Sequence, residues 1–260
     1  MQVMCFVDII DRLTSDLQRE IKVNLMKKPD HRPFAQRLLR ILLGTTLCIV
    51  AVHLTLQYLN LEVFYQQNGQ IYELSNRFDL DDESSVPTWF SQATMLAISG
   101  LAALAAYLQT VRAKKALWAL IAVIGLIMSI DEIAALHEYT LQTLHVLFFE
   151  DASTGLLSNS WIVVAPFVLI AAGWIAWKAY KLLPKRTTML LVGAGATFLV
   201  GAIAVDLFTS VSPREMFLNQ GIYVAIEESL ELLANVIVIY AIADYLEKYH
   251  YAAISASLKR

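Results

Sequence analysis

An all-α bundle of six membrane-crossing helices, with both ends on the cytoplasmic side, is the fold this sequence predicts. Three observations predict it. Hydrophobic residues make up 57% of the 260 positions and charged residues only 17%, where a soluble domain carries about 25% charge. The mean hydropathy is +0.55. The apolar residues fall in blocks of about 20, the length a helix needs to cross roughly 30 Å of hydrocarbon. Basic residues fill every second gap between the blocks, as the positive-inside rule requires. The net charge of -3 says little about partners in a membrane protein, and no basic patch suggests nucleic acid.

The elements follow in order. Residues 1–36 are polar and mixed, with Val3, Phe6, Val7, Ile10, Leu13 and Leu17 at helical spacing, and read as a cytoplasmic amphipathic segment. The membrane domain spans 37–250. Its predicted helices cover about 38–59, 87–109, 116–137, 160–182, 187–208 and 221–246, and 251–260 reads as a cytoplasmic tail. The first block has no small-residue cleavage site after it and reads as a retained helix. Ser85-Val86-Pro87 makes a good start for the second helix, a hydroxyl cap with proline in the first turn. Gly193, Gly195 and Gly201 on the fifth helix read as packing positions, since small residues let helices approach in lipid. Cys5 and Cys48 form no zinc-type pair, and neither is placed for a structural disulfide.

Orientation comes from Lys and Arg. With the N-terminus inside, Arg37, Arg40, Arg112, Lys114, Lys115, Lys178, Lys181, Lys185, Arg186 and Lys248 all fall inside. The outer loops keep only Arg77 and Arg214. The pattern is that of a bacterial cytoplasmic-membrane protein.

Against this apolar background, several carboxylates stand within the helices. Asp131 and Glu132 lie near the end of the third helix, followed by His137 and Glu138; Glu227, Glu228 and Glu231 lie near the start of the sixth; Asp206 ends the fifth; His53 lies on the first. At about 1.5 Å per residue, Asp131, Glu227 and His53 all sit about 9 Å below the outer surface. Glu231 is one turn deeper. Glu227 and Glu231 share a helix face, and Glu228 flanks it.

No Lys or Arg is expected at that depth. Clustered carboxylates in low dielectric must be protonated, hydrated or neutralised by a cation. One expectation is therefore a divalent metal, of no specified identity, ligated by Asp131, Glu132, His137, Glu227 and His53, with Glu228 and Glu231 as catalytic bases. The reaction would be metal-assisted chemistry on a lipid or lipid-linked substrate at the outer leaflet. A second reading is a proton- or cation-coupled transporter or sensor, and a third is an accessory subunit of a membrane complex. The structural alternative is a solvated acid network that only fixes packing. The spacing departs from the Glu-x-x-His pattern of di-iron bundles. The multi-His pattern of ceramidase-like hydrolases, a Walker loop and a Ser/His/Asp set are absent. The loop Asp79-Leu80-Asp81-Asp82-Glu83 reads as a solvated acidic loop ahead of the second helix, or as a rim over the same site.

Overall fold

The computed structural model describes residues 34–59, 69–136, 139–140, 143–144, 147, 164–205 and 217–257. Among the described residues the chain is all-helical, without strands. Seven helices follow in order: α1 (Phe34–Tyr58), α2 (Gly69–Arg77), α3 (Val86–Tyr107), α4 (Arg112–Ala134), α5 (Ala165–Leu182), α6 (Lys185–Leu199) and α7 (Phe217–Ser257). A π-helical segment, Val200–Val205, continues α6. Among the described residues, four stretches are long and apolar enough to cross a membrane: Phe34–Tyr58, Val86–Tyr107, Arg112–Ala134 and Lys185–Ile203. The predicted 1–36 segment lies almost wholly outside the described residues.

The local chemistry explains several boundaries. Ser85 caps α3, its Oγ accepting the Thr88 N–H at 3.3 Å, and the Thr88 hydroxyl donates to the Asp82 carbonyl at 2.7 Å. Helix α4 ends at Ala134, three residues before the expected His137. Ala135 adopts the left-handed conformation at φ 48°, and its N–H closes on the Asp131 carbonyl at 2.7 Å. A non-glycine residue there costs about 1–2 kcal/mol, and Ala135 is buried, so packing holds the turn. Helix α7 runs on to Ser257, past the predicted end at Leu246. Its backbone bonds are satisfied internally and do not need an apolar run to continue.

Helix α7 is the hub, with α1, α3, α6 and the π segment packed around it. The contacts show these neighbours' directions. The start of α1 meets Glu247 of α7, while Ile49, farther along α1, packs with Ala225 and Leu232. The start of α6 meets Asp244, whereas Gly201 lies against Glu227. Both helices therefore run antiparallel to α7. Helices α3 and α4 form the closest pair: a Cβ on Gly125 would come within 3.1 Å of the Ser99 nitrogen and 3.2 Å of the Met95 carbonyl oxygen. Only glycine lets these two backbones approach so far.

The ends of the bundle consequently sort by charge. At the basic end, Arg186 and Lys248 hold Asp244 at 3.2 and 2.9 Å. The Glu247 carboxylate accepts the Phe34 and Ala35 N–H groups, each at 3.1 Å. This satisfies two orphan donors and places negative charge at the positive end of α1. The larger hydrophobic core lies towards this end and includes Trp118, Leu117, Ala105, Ile242 and Tyr245. Trp118 is fully buried, its ring 5.0 Å from that of Tyr245. A smaller cluster of Ile49, Leu80, Ala225 and Leu232 closes the opposite, acidic end.

Candidate functional site at the acidic end

Carboxylates on three elements act electrostatically on one another at this end. Glu228 of α7 stands within electrostatic reach of Glu231, Glu132, Glu227 and Asp81. Glu231 is in turn within reach of Glu132 and Glu227. Glu132 comes from the last turn of α4, Asp81 from the loop between α2 and α3, and the others from successive turns of α7. Glu228 and Glu231 are half-buried. At this separation like charges raise one another's energy, increasingly so as water is removed. The arrangement thus attracts a cation or a proton.

The backbone around these acids is unusual in two places. One is the left-handed turn at Ala135, just beyond Glu132. The other is the π segment, which packs on the acid-bearing turn of α7. A Cβ on Gly201 would lie 3.0 Å from the Glu227 carbonyl oxygen and 3.4 Å from Glu231 Cγ. Single π turns inside α-helices are concentrated at functional sites, and strained residues cluster there too.

His53 is nearly fully buried, at 2% exposure, and is turned towards the loop. Its Nδ1 accepts the Leu80 N–H at 3.2 Å and lies 3.2 Å from the Phe78 carbonyl oxygen and 3.6 Å from the Asp79 carboxylate. Nε2, the other ring nitrogen, has no hydrogen-bond partner among the described residues. Leu80, 4% exposed, is pressed into the cluster with Ala225 and Leu232. His53 and Leu80 together pin the acidic loop over the end of the bundle. The loop's other acids build its turns: Asp79 accepts the Asp81 N–H at 3.3 Å, and Asp82 accepts the Ser84 N–H at 2.7 Å. Beside it is a polar pocket of about 370 Å³ lined by Glu73, Asn76, Arg77 and Asp82.

The chain belongs to the family described as "Domain of unknown function (DUF8692)". The family match covers residues 41–245, and so takes in His53, the acidic loop, Glu132 and the three glutamates of α7. No curated protein and no solved structure matches the chain.

Of the residues expected at the site, Glu132, Glu227 and Glu231 act electrostatically on Glu228 in this DUF8692 domain. Asp131 is half-buried in the same turn of α4 as Glu132, and its carbonyl closes the Ala135 turn. His53 serves the loop through Nδ1. His137 and Asp206 lie outside the described residues. Among the described residues, no three His, Cys, Asp or Glu side chains are arranged to hold a metal ion.

Reading the sequence alone missed Asn235. It lies four residues beyond Glu231 and seven beyond Glu228, on the same face of α7. It is 5% exposed, and its Nδ2 has no partner among the described residues. The i, i+3, i+7 spacing of Glu228, Glu231 and Asn235 was the available signal.

Proposed function

We propose that the protein is an integral membrane enzyme with six crossings and both termini in the cytoplasm. Its acidic end faces outward, binds a divalent cation and acts on a lipid or lipid-linked substrate. The observation that carries this reading is the set of carboxylates around Glu228, drawn from α4, α7 and the α2–α3 loop. The segregation of Arg186 and Lys248 to the opposite end supports the orientation.

In this reading Glu132, Glu227 and Asp131 supply oxygen ligands, and binding draws their side chains inward by neutralising the repulsion. His137 is the nitrogen ligand proposed from sequence. His53 holds the loop and turns Nε2 into the bundle. When bound, a divalent cation would supply Lewis-acid activation of a water there. Glu228 or Glu231 would take the proton of the water that attacks an ester or phosphoester of the substrate, and the same carboxyl would return that proton to the leaving oxygen.

Metal analysis and thermal unfolding of the purified protein test this. A divalent ion should co-purify near one per chain and raise the melting temperature, and Glu132→Gln with Glu227→Gln, which removes two proposed ligands, should abolish both effects. No bound metal and no response to added Mg²⁺, Ca²⁺, Mn²⁺ or Zn²⁺ would sink the reading.

A second reading, coupled proton or cation transport, draws on Asn235, which extends the polar face one turn past Glu231. Flux into proteoliposomes that disappears in Glu227→Gln would favour transport over hydrolysis.

A further inference from the structure

A cleft separates α1 from α3, with α7 as its floor. Both walls lean on α7 more than on each other. Leu38 and Leu42 line one side, Phe90, Ala97 and Gly100 the other, and Ile239 the bottom, enclosing about 480 Å³.

The lining specifies the chemistry of what fills it. Its one side-chain hydroxyl belongs to Thr94, and that group donates to the Ser91 carbonyl at 2.7 Å. The remaining lining side chains are apolar. A water molecule needs 2–4 polar partners to occupy a cavity stably, and these walls do not supply them. At Gly100 an added Cβ would meet nothing within 4 Å, so the space beside it is open.

Its dimensions narrow the choice further. The step along α3 from Phe90 to Leu101 is about 16 Å, close to half of the roughly 30 Å hydrocarbon thickness. A helix is about 10–12 Å across, and one lying along this length of α3 needs far more than the roughly 480 Å³ enclosed here. Phe90 links the cleft to the acidic end, because it also packs against the cluster containing Leu80, Ala225 and Leu232.

We propose that this cleft holds one acyl chain of a bilayer lipid, with the head group beside Phe90 and the acidic loop. The chain lies parallel to α3 and is held by Leu42, Ala97 and Ile239. The position of the head group rests on the outward acidic site proposed above, whereas the occupancy of the cleft does not. The site's substrate would then be a lipid presented by one of its own tails.

The test uses the full chain in nanodiscs with a phosphatidylethanolamine carrying a diazirine at mid-chain. Photolysis should give adducts on α1 and α3 around Leu42 and Ala97, saturating at one per chain. Gly100→Leu and Ala97→Phe should each lower the yield about tenfold, as expected from displacing roughly two methylenes. Gly44→Leu is the control, since Gly44 also faces open space but does not line the cleft. Adducts that rise linearly with lipid, or that are insensitive to both cleft variants, would overturn the proposal. So would disulfide capture of a second copy through Ala97→Cys. Should the filling variants fail to fold, saturation and adduct position in the wild type decide alone. Cation binding is measured on the same samples. Its retention in Gly100→Leu with adducts lost supports the cleft independently of the site, and its absence from wild type with adducts present removes only the site.

Discussion

The two ends of this bundle handle charge in opposite ways. At the basic end every carboxylate so far described meets a counter-charge or a helix terminus: Asp244 has Arg186 and Lys248, and Glu247 has the first N–H groups of α1. At the acidic end the groups that act on Glu228 are themselves carboxylates. Packing follows the same division. The large core with Trp118 and Tyr245 lies towards the basic end, and only four buried residues, Ile49, Leu80, Ala225 and Leu232, form the cluster at the acidic end. One end is built to stay folded. The other gathers carboxylates whose mutual repulsion a bound cation would relieve in the function proposed above.

Substitutions at the two ends should therefore differ in kind. The largest effect is expected for Trp118→Ala, which empties a fully buried site and should cost about 3–5 kcal/mol. Thermal or denaturant unfolding in detergent would measure it, and a loss as small as that of a surface change would refute the basic end as the stability centre. Next is Glu228→Gln. Without divalent cations it should be at least as stable as wild type, because a repelled charge is removed. With cation at a hundred times its Kd, wild type should gain about 2.7 kcal/mol, and Glu132→Gln with Glu227→Gln, which removes two proposed ligands, should gain little. A Glu228→Gln variant that loses stability without cation would show that Glu228 is a structural partner instead.

Glu247→Ala should cost about 1–2 kcal/mol, since the cap on α1 is lost. Fraying would be confined to the first turn, visible as faster amide exchange near Ala35.

The smallest effect concerns His250, beyond the predicted end of the sixth crossing. Burial, and secondarily the Lys114 ammonium, hold its pKa below the ordinary 6.5. It also meets Gln109 at 2.8 Å and the ring of Tyr245. Just below its ordinary pKa the unfolded chain binds more protons than the folded one, so stability falls as pH drops through that interval. The melting temperature should decline by about one or two degrees, and His250→Gln should remove that part of the decline.

Much of this architecture was legible in the chain. The apolar blocks located α1, α3, α4, α5, α6 and α7, and Ser85 with Pro87 marked the start of α3. Helix α2 escaped notice because its nine residues, Gly69–Arg77, are too short and too polar for a block pattern. Depth counting placed Asp131, Glu227 and His53 at one level and Glu231 a turn deeper, since helix rise is nearly constant. It could not separate their roles. Asp79, Asp81 and Asp82 look alike in sequence, yet Asp79 and Asp82 form turns and Asp81 acts electrostatically on Glu228. His53 looked like a metal ligand, and its Nδ1 proves to hold the Leu80 backbone.

The sequence by itself therefore determined that the chain is helical, where the apolar helices lie and that acids and bases gather at opposite helix ends. These features depend on periodicity and composition, which are local. Only the tertiary structure decided that Ala135 turns left-handed after α4, that a π segment presses Gly201 against Glu227, and that a cleft opens between α1 and α3. Each depends on which backbones meet, and contacts between helices far apart in the chain are not written in the spacing of either one.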